Sequence, residues 1–220
     1  MKEIINTVED WLQAPVADDI DACLEKSETL LEKLQQALSH NQDERQTLGP
    51  LIGKVKGIQK KLQNLEIINW VSVANGHLAI GHRPSVKMMG DLKLQGASHI
   101  LTLLCESEGA DEISKLCGKE NLEWLWFSMK SANPPIEERQ LELKTLFSEM
   151  SQALEKGAKI YVHCSAGIHR TGMISYAFLR YTGLTQELAK DILMKLRQET
   201  GLNVGADRLA WADTFSSKLV

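Results

Sequence analysis

Ala158-Lys159-Ile160-Tyr161-Val162-His163-Cys164-Ser165-Ala166-Gly167-Ile168-His169-Arg170-Thr171-Gly172 passes from a short apolar run into a segment with helical spacing. The first five residues read as a buried strand, and from Thr171 the pattern is helical to the end of the chain. The loop between them holds a cysteine and, five intervening residues later, an arginine. A loop entering a helix N-terminus with its N–H groups turned inward is an anion nest, because partial positive charge gathers there. Such a loop cradles a phosphate. Arg170 supplies a planar fork that follows two phosphate oxygens through a trigonal-bipyramidal state, which a lysine cannot do. The same dipoles and cation favour the thiolate of Cys164, a nucleophile that needs no partner base. Gly167 permits the tight backbone path, the Thr171 hydroxyl reaches the sulfur, and His163 orients the loop. The backbone N–H groups of Ser165, Ala166, Gly167, Ile168, His169 and Arg170 are the expected phosphate ligands.

Outward from this loop, short apolar runs alternate with helical ones. Ile67 to Val73 and His77 to Ile80 flank Asn75-Gly76, a strong hairpin signal. A helix from about Val86 to Leu94 precedes a strand from His99 to Leu104. A short helix around Asp111 to Leu116 precedes a strand from Leu122 to Phe127. Pro134-Pro135 opens a long helix, Glu137 to Glu155, stopped by Gly157. This alternation predicts an α/β fold with a central, mainly parallel sheet flanked by helices.

The N-terminal part reads differently. Ile20, Leu24, Leu31, Leu34 and Leu38 recur at helical steps from Asp18 on, until His40-Asn41-Gln42-Asp43-Glu44 interrupts. Leu48, Leu51, Val55, Ile58, Leu62 and Leu65 repeat in 3-4-3-4-3 steps, with the helix expected to begin at Gly49-Pro50. The expectation is an N-terminal αα-hairpin over residues 1–65, offering self-association or partner docking, and a second domain over residues 66–220.

The 220 residues carry 25 Lys+Arg against 29 Asp+Glu, a net charge of −4, and are 43% hydrophobic and 5% aromatic. That excludes a disordered tail or a collagen, and interspersed charge gives no reason to expect nucleic acid or an anionic membrane as partner. Acids in the first residues and the lack of a long apolar run point to a cytoplasmic protein. Cys23, Cys105, Cys117 and Cys164 lie far apart with no C-x-x-C pair, so reduced thiols and no metal site are expected.

His163-Cys164-x-x-Gly167-x-x-Arg170-Thr171-Gly172, in its strand-to-helix setting, resembles the cysteine-dependent protein tyrosine phosphatase superfamily. Leu78 to Ser85 and Leu92 to Ile100 look like the opening segments of its small dual-specificity-like branch, so the resemblance covers about residues 67–218. It implies a phosphoric monoester hydrolase acting on a phosphorylated protein or another phosphomonoester through a phosphocysteine intermediate, without cofactor. Cys164, Arg170 and Thr171 would be the catalytic residues. The resemblance also suggests that Cys105 could trap Cys164 as a disulfide, and that Asn203 could position water.

The family's general-acid aspartate is absent. The corresponding stretch is Phe127-Ser128-Met129-Lys130-Ser131-Ala132-Asn133-Pro134-Pro135, with Lys130 at the aspartate's place and no carboxylate between Glu123 and Glu137. Three readings follow: substrates whose leaving group is already stable, as in the RNA triphosphatase branch; a substitute donor among His169, Glu137, Glu138, Asp111, Glu112 or Asp207; or a phosphate-binding pseudophosphatase. Lys130, Arg83 and Arg208 are candidates for a basic rim facing a phosphoinositide or a 5′-triphosphate.

Overall fold

A computed structural model describes residues 2–13 and 19–217. The chain divides into two compact units, Met1–Ile67 with Asp91–Gly96, and Ile68–Gly90 with Ala97–Val220.

In the first unit α1 (Lys2–Gln13), α2 (Ile20–His40) and α3 (Arg45–Gln63) bury Val8, Leu30, Leu31, Leu34, Leu48, Leu51 and Val55 in a common core. The expected hairpin is therefore a group of α1, α2 and α3. Ile4, Ile5, Val8, Trp11 and Leu12 in α1 carry the helical repeat that supplies the extra helix, and all of them pack on this core. Asp18, where helicity was expected to start, lies outside the described residues; Asp19 caps α2 by accepting from the Ala22 N–H at 2.9 Å. The second correction concerns Pro50, which lies inside α3 and not in its first turn. Pro50 and Gln46, whose carbonyl loses its donor, are both exposed, so water serves that carbonyl. Gly49 relieves the usual clash of proline with the residue before it. The leucine seam of α3 is used inside the unit, since Leu48, Leu51 and Val55 are in the core.

The second unit is α/β. Strands β1 (Val71–Val73), β2 (Gly76–Gly81), β3 (His99–Thr102), β4 (Glu123–Trp126) and β5 (Lys159–His163) form one sheet in the order β1-β2-β5-β3-β4. Among the described residues only the β1–β2 pair is antiparallel. Helices α5 (Ala110–Glu120), α6 (Gln140–Glu155), α7 (His169–Tyr181), α8 (Gln186–Leu196), α9 (Gln198–Asn203) and α10 (Ala206–Ser217) alternate with or follow the strands, and α4 (Val86–Leu94) has its residues up to Gly90 in this unit and the rest in the first. The core gathers Ile160 and Val162 of β5, Leu143 and Phe147 of α6, Phe178 of α7 and Phe215 of α10. Phe147 meets Phe178 edge-on at 5.4 Å between centroids.

The β1–β2 turn is displaced by one residue from the Asn75-Gly76 expectation. Val73 pairs with Gly76, so the turn residues are Ala74, at φ 53°, and Asn75. Gly76 is needed for close approach instead: a Cβ there would lie 2.3 Å from the Ala158 carbonyl oxygen. No described helix is long and apolar enough to cross a membrane.

Candidate active site

β5 lies inside the sheet between β2 and β3, and its residues Ile160, Tyr161 and Val162 are fully buried. The chain leaves its C-terminal end at Cys164 and enters α7 at His169, so the loop sits where ligands bind in open parallel sheets. His163 is fixed from two sides. Its Nδ1 lies 3.1 Å from the Cys164 carbonyl and its Nε2 lies 3.0 Å from Thr102 Oγ1. Trp124 Nε1 donates to the same Thr102 hydroxyl at 2.9 Å, which leaves the hydroxyl proton for Nε2 and places the imidazole proton on Nδ1.

The loop carbonyls are tied outward one after another. The Arg83 N–H donates to Ser165 O at 3.0 Å, and Arg197 Nη1 to Ala166 O at 2.8 Å. Thr200 Oγ1 donates to Gly167 O at 2.7 Å, and the Gly172 N–H to Ile168 O at 2.8 Å. With the C=O groups turned out, the alternate N–H groups turn toward the sulfur; the Gly167 N–H is 3.2 Å from Cys164 Sγ. His169 and Arg170 open α7, and first-turn N–H groups have no intrahelical acceptor. Gly167 has φ +73°, and a Cβ there would fall 2.2 Å from the Gly81 carbonyl group.

Cys164 is almost wholly buried, and that burial pushes its thiol pKa up. Hydrogen bonding from the Thr171 hydroxyl, the Thr171 and Gly167 N–H groups and the Arg170 charge outweigh it, and the pKa lies below the ordinary thiol value. The Thr171 Oγ1 is buried without a partner of full hydrogen-bond geometry, which leaves it to the sulfur.

The structure adds a residue that the sequence pattern did not single out. Glu108 ends a 3-10 turn, Glu106–Glu108, that follows β3. It grips Arg170 bidentately, Oε2 to Nη1 at 2.6 Å and Oε1 to Nη2 at 2.8 Å. The Arg170 guanidinium next to it holds the Glu108 carboxyl down at about 2. Arg170 Nη1 also donates to Met129 O at 2.7 Å and Nη2 to Ser165 Oγ at 3.0 Å. Glu108 takes the outer fork, so the Nε–Nη2 edge is the one left for an anion, with Ser165 Oγ standing at one of its protons. The Cys105 N–H and thiol both donate to Glu108 Oε2, at 3.1 and 3.3 Å. All four cysteines are free, and Cys105 is held on Glu108, not bonded to Cys164.

Several expected rim or donor residues have other employment. Arg83 donates to Glu108 O at 2.9 Å and pairs with Glu112. Arg208 Nε donates to Ala132 O at 2.7 Å, with Asp207 beside it. Asn203 Nδ2 turns to Glu199 O at 2.8 Å, within its own helix. Glu137 and Glu138 lie exposed in the 3-10 turn Glu137–Arg139, Asp111 is exposed in the first turn of α5, and His169 is exposed at the start of α7. Lys130 is exposed beside Met129, the residue whose carbonyl Arg170 holds. Among the described residues no group of His, Cys, Asp and Glu side chains could hold a metal.

Residues 99–193 match the model of the tyrosine phosphatase family. Over those residues the chain is similar to the tyrosine phosphatase family. Solved structures share the fold of this chain. Kinase associated phosphatase, crystallised with serine for its catalytic-site cysteine, is 19% identical with a TM-score of 0.59, over 71% of this chain and 97% of that one. PTPMT1 in complex with PI(5)P is 19% identical with a TM-score of 0.56, over 69% and 96%. The active form of Tk-PTP is 16% identical with a TM-score of 0.54, over 69% and 98%. No curated protein matches the chain.

The burial of His163 carries a stability prediction. Burial holds its pKa down to about 4. An unfolded histidine titrates near 6.5, so as pH falls from 6.5 to 4 the unfolded chain takes up a proton that the native state refuses. Stability falls over that window by about 3 kcal/mol, at ~1.4 kcal/mol per pH unit. In urea titrations His163→Gln is expected to be less stable at pH 7, for its lost bonds, but to show a flatter decline toward pH 4.5.

Proposed function

We propose that the chain is a cysteine-dependent phosphatase that hydrolyses phosphomonoesters of the protein tyrosine or dual-specificity type, with Cys164, Arg170 and Thr171 as its catalytic residues. The observation that carries this reading is the loop itself: outward-tied carbonyls, inward N–H groups and an arginine edge arranged around a thiol whose pKa is depressed.

The phosphoryl oxygens lie on the N–H groups of residues 165–170 and on the Nε–Nη2 edge of Arg170, displacing Ser165 Oγ. The Cys164 thiolate attacks phosphorus in line with the leaving oxygen, the S–P bond forms and the P–O bond breaks. Water then attacks the phosphocysteine. The Thr171 hydroxyl stabilises the sulfur as it departs, and Glu108 keeps the guanidinium plane aimed throughout. Arg197 and Thr200 hold the loop in its anion-binding shape from behind. The fold neighbours support the reading, since one of them is named kinase associated phosphatase and another was solved in complex with PI(5)P.

The test is an acid-quenched turnover of p-nitrophenyl phosphate followed by mass spectrometry of the Cys164 peptide, with rates across pH 4 to 8. A phosphoryl adduct on Cys164, and a rate that rises with thiolate formation at a pH below the ordinary thiol range, are the expected results. No adduct, with phosphate bound but not turned over, would make the domain a phosphate-binding module.

A further inference from the structure

The imidazole beside the nucleophile is reached by a relay of hydrogen bonds that starts on the edge of the sheet. β4 is an outermost strand, and Trp124 and Trp126, two residues apart on it, stand on one face with their rings stacked at 5.4 Å between centroids. β3 pairs Thr102 with His163 of β5, which sets those two side chains next to each other, both fully buried. Trp124 Nε1 donates to Thr102 Oγ1 at 2.9 Å, Thr102 Oγ1 lies 3.0 Å from His163 Nε2, and His163 Nδ1 lies 3.1 Å from the Cys164 carbonyl. Attack by Cys164 and hydrolysis of its adduct leave the first of these bonds without a task.

The two ends of the relay give it a direction. An indole N–H donates and cannot accept, and a carbonyl oxygen accepts and cannot donate. Burial, opposed by the bond to the Cys164 carbonyl and reinforced by the charges of Arg83, His82 and Arg170, holds the imidazole neutral at pH 7, with one proton to place. That proton sits on Nδ1 against the carbonyl, Nε2 receives the Thr102 hydroxyl proton, and the Thr102 oxygen receives the indole N–H. Every link points the same way, and links so aligned polarise one another. On the phosphatase reading above, we infer that Trp124 is a positioning residue of the reaction: through Thr102 it holds His163 in its Nδ1–H form and so keeps the Cys164 backbone, and the sulfur it carries, in place for attack. Phenylalanine at position 124 keeps a ring in the stack and removes the donor. The Thr102 oxygen then accepts from Nε2–H, which admits the other tautomer and the imidazolium. In that other tautomer a bare Nδ1 faces the carbonyl oxygen, lone pair to lone pair, and the carbonyl is released. The Arg170 edge and the loop N–H groups are untouched, so the loss falls on kcat and not on KM.

Trp126 supplies the control. It belongs to the same stack and its Nε1 donates at 2.8 Å, but to the Leu104 carbonyl, outside the relay. The test uses the full chain with nitrogen-15 in its histidine rings and the variants Trp124→Phe, Trp126→Phe, Thr102→Val and Thr102→Ser. It follows the ring-nitrogen signals of His163, the pH dependence of Cys164 alkylation by iodoacetamide, and kcat and KM for p-nitrophenyl phosphate. The wild type should show a protonated Nδ1 and a bare Nε2. Trp124→Phe should populate the Nε2–H form, raise the His163 pKa, move the alkylation profile to higher pH and lower kcat by about fivefold, the worth of one hydrogen bond, with KM little changed. Thr102→Val should do the same, Thr102→Ser should restore wild-type behaviour, and Trp126→Phe should leave the His163 signals and the alkylation profile where they were. If Trp124→Phe moves these no further than Trp126→Phe does, the tryptophan only packs, and the inference falls while the phosphatase reading stands. Should Trp124→Phe fail to fold, identical His163 signals in Thr102→Val and Thr102→Ser would overturn the relay, and different ones would support it. If the wild type turns nothing over, both readings fall.

Discussion

Cys164→Ser is expected to lower turnover of p-nitrophenyl phosphate by about 10⁴-fold or more, equivalent to about 5 kcal/mol of barrier. The cradle that depresses the thiol cannot ionise an alcohol, so the variant presents a neutral hydroxyl where the native chain has a thiol that ionises more readily than a free one. Binding should move the other way. A thiolate repels the phosphate dianion it is about to attack, and serine removes that repulsion while the N–H groups and Arg170 stay in place. Phosphate affinity, followed by calorimetry at pH 7, should therefore be unchanged or higher. Comparable loss of binding and rate would show that Cys164 shapes the loop and does not attack.

Arg170 is the second large effect, because it serves the anion and Glu108 together. Arg170→Lys keeps the charge but gives up the fork, and a loss of about 10³-fold in kcat/KM is expected. Arg170→Met also strands the Glu108 carboxylate. That side chain is 31% exposed against 11% for Arg170, so water softens the penalty to about 1–3 kcal/mol. The pH dependence has a definite sign. With its pKa lowered to about 2, Glu108 stabilises the native state at pH above the ordinary carboxylate range, and that contribution is lost as pH falls toward 2. Arg170→Met should abolish this part of the acid loss. In urea titrations at pH 7 and pH 3, Glu108→Gln combined with Arg170→Met should cost less than the two changes summed. Full additivity would mean that the pair does not couple.

Local sequence carried much of this protein. The run from Ala158 to Gly172 specified strand, loop and helix, because apolar residues without polar interruption, a loop glycine and helical spacing are local signals. The same holds for the helix at Val86–Leu94 and the strand that begins at His99. Where the local reading slipped, a distant group decided. Asn75-Gly76 would make a good turn, but Gly76 faces the Ala158 carbonyl across the sheet and is drawn into β2. Pro50 would start a helix, but Leu48 belongs to the core and pulls the helix start back to Arg45.

Chemistry divides along the same line. The proposed nucleophile, the guanidinium and the lack of a carboxylate between Glu123 and Glu137 are properties of residue type and spacing, and Cys164, Arg170, Thr171 and Lys130 were all visible in the sequence. Glu108 lies 62 positions from Arg170, and Arg197 lies 31 from Ala166, with no pattern linking either pair. What turns the loop carbonyls outward, and which edge of Arg170 is left for an anion, depends on groups that only the folded sheet and its helices bring together. Short-range sterics and periodicity are written in neighbouring residues, whereas ion pairs and backbone anchors across the sheet exist only once the chain has closed on itself.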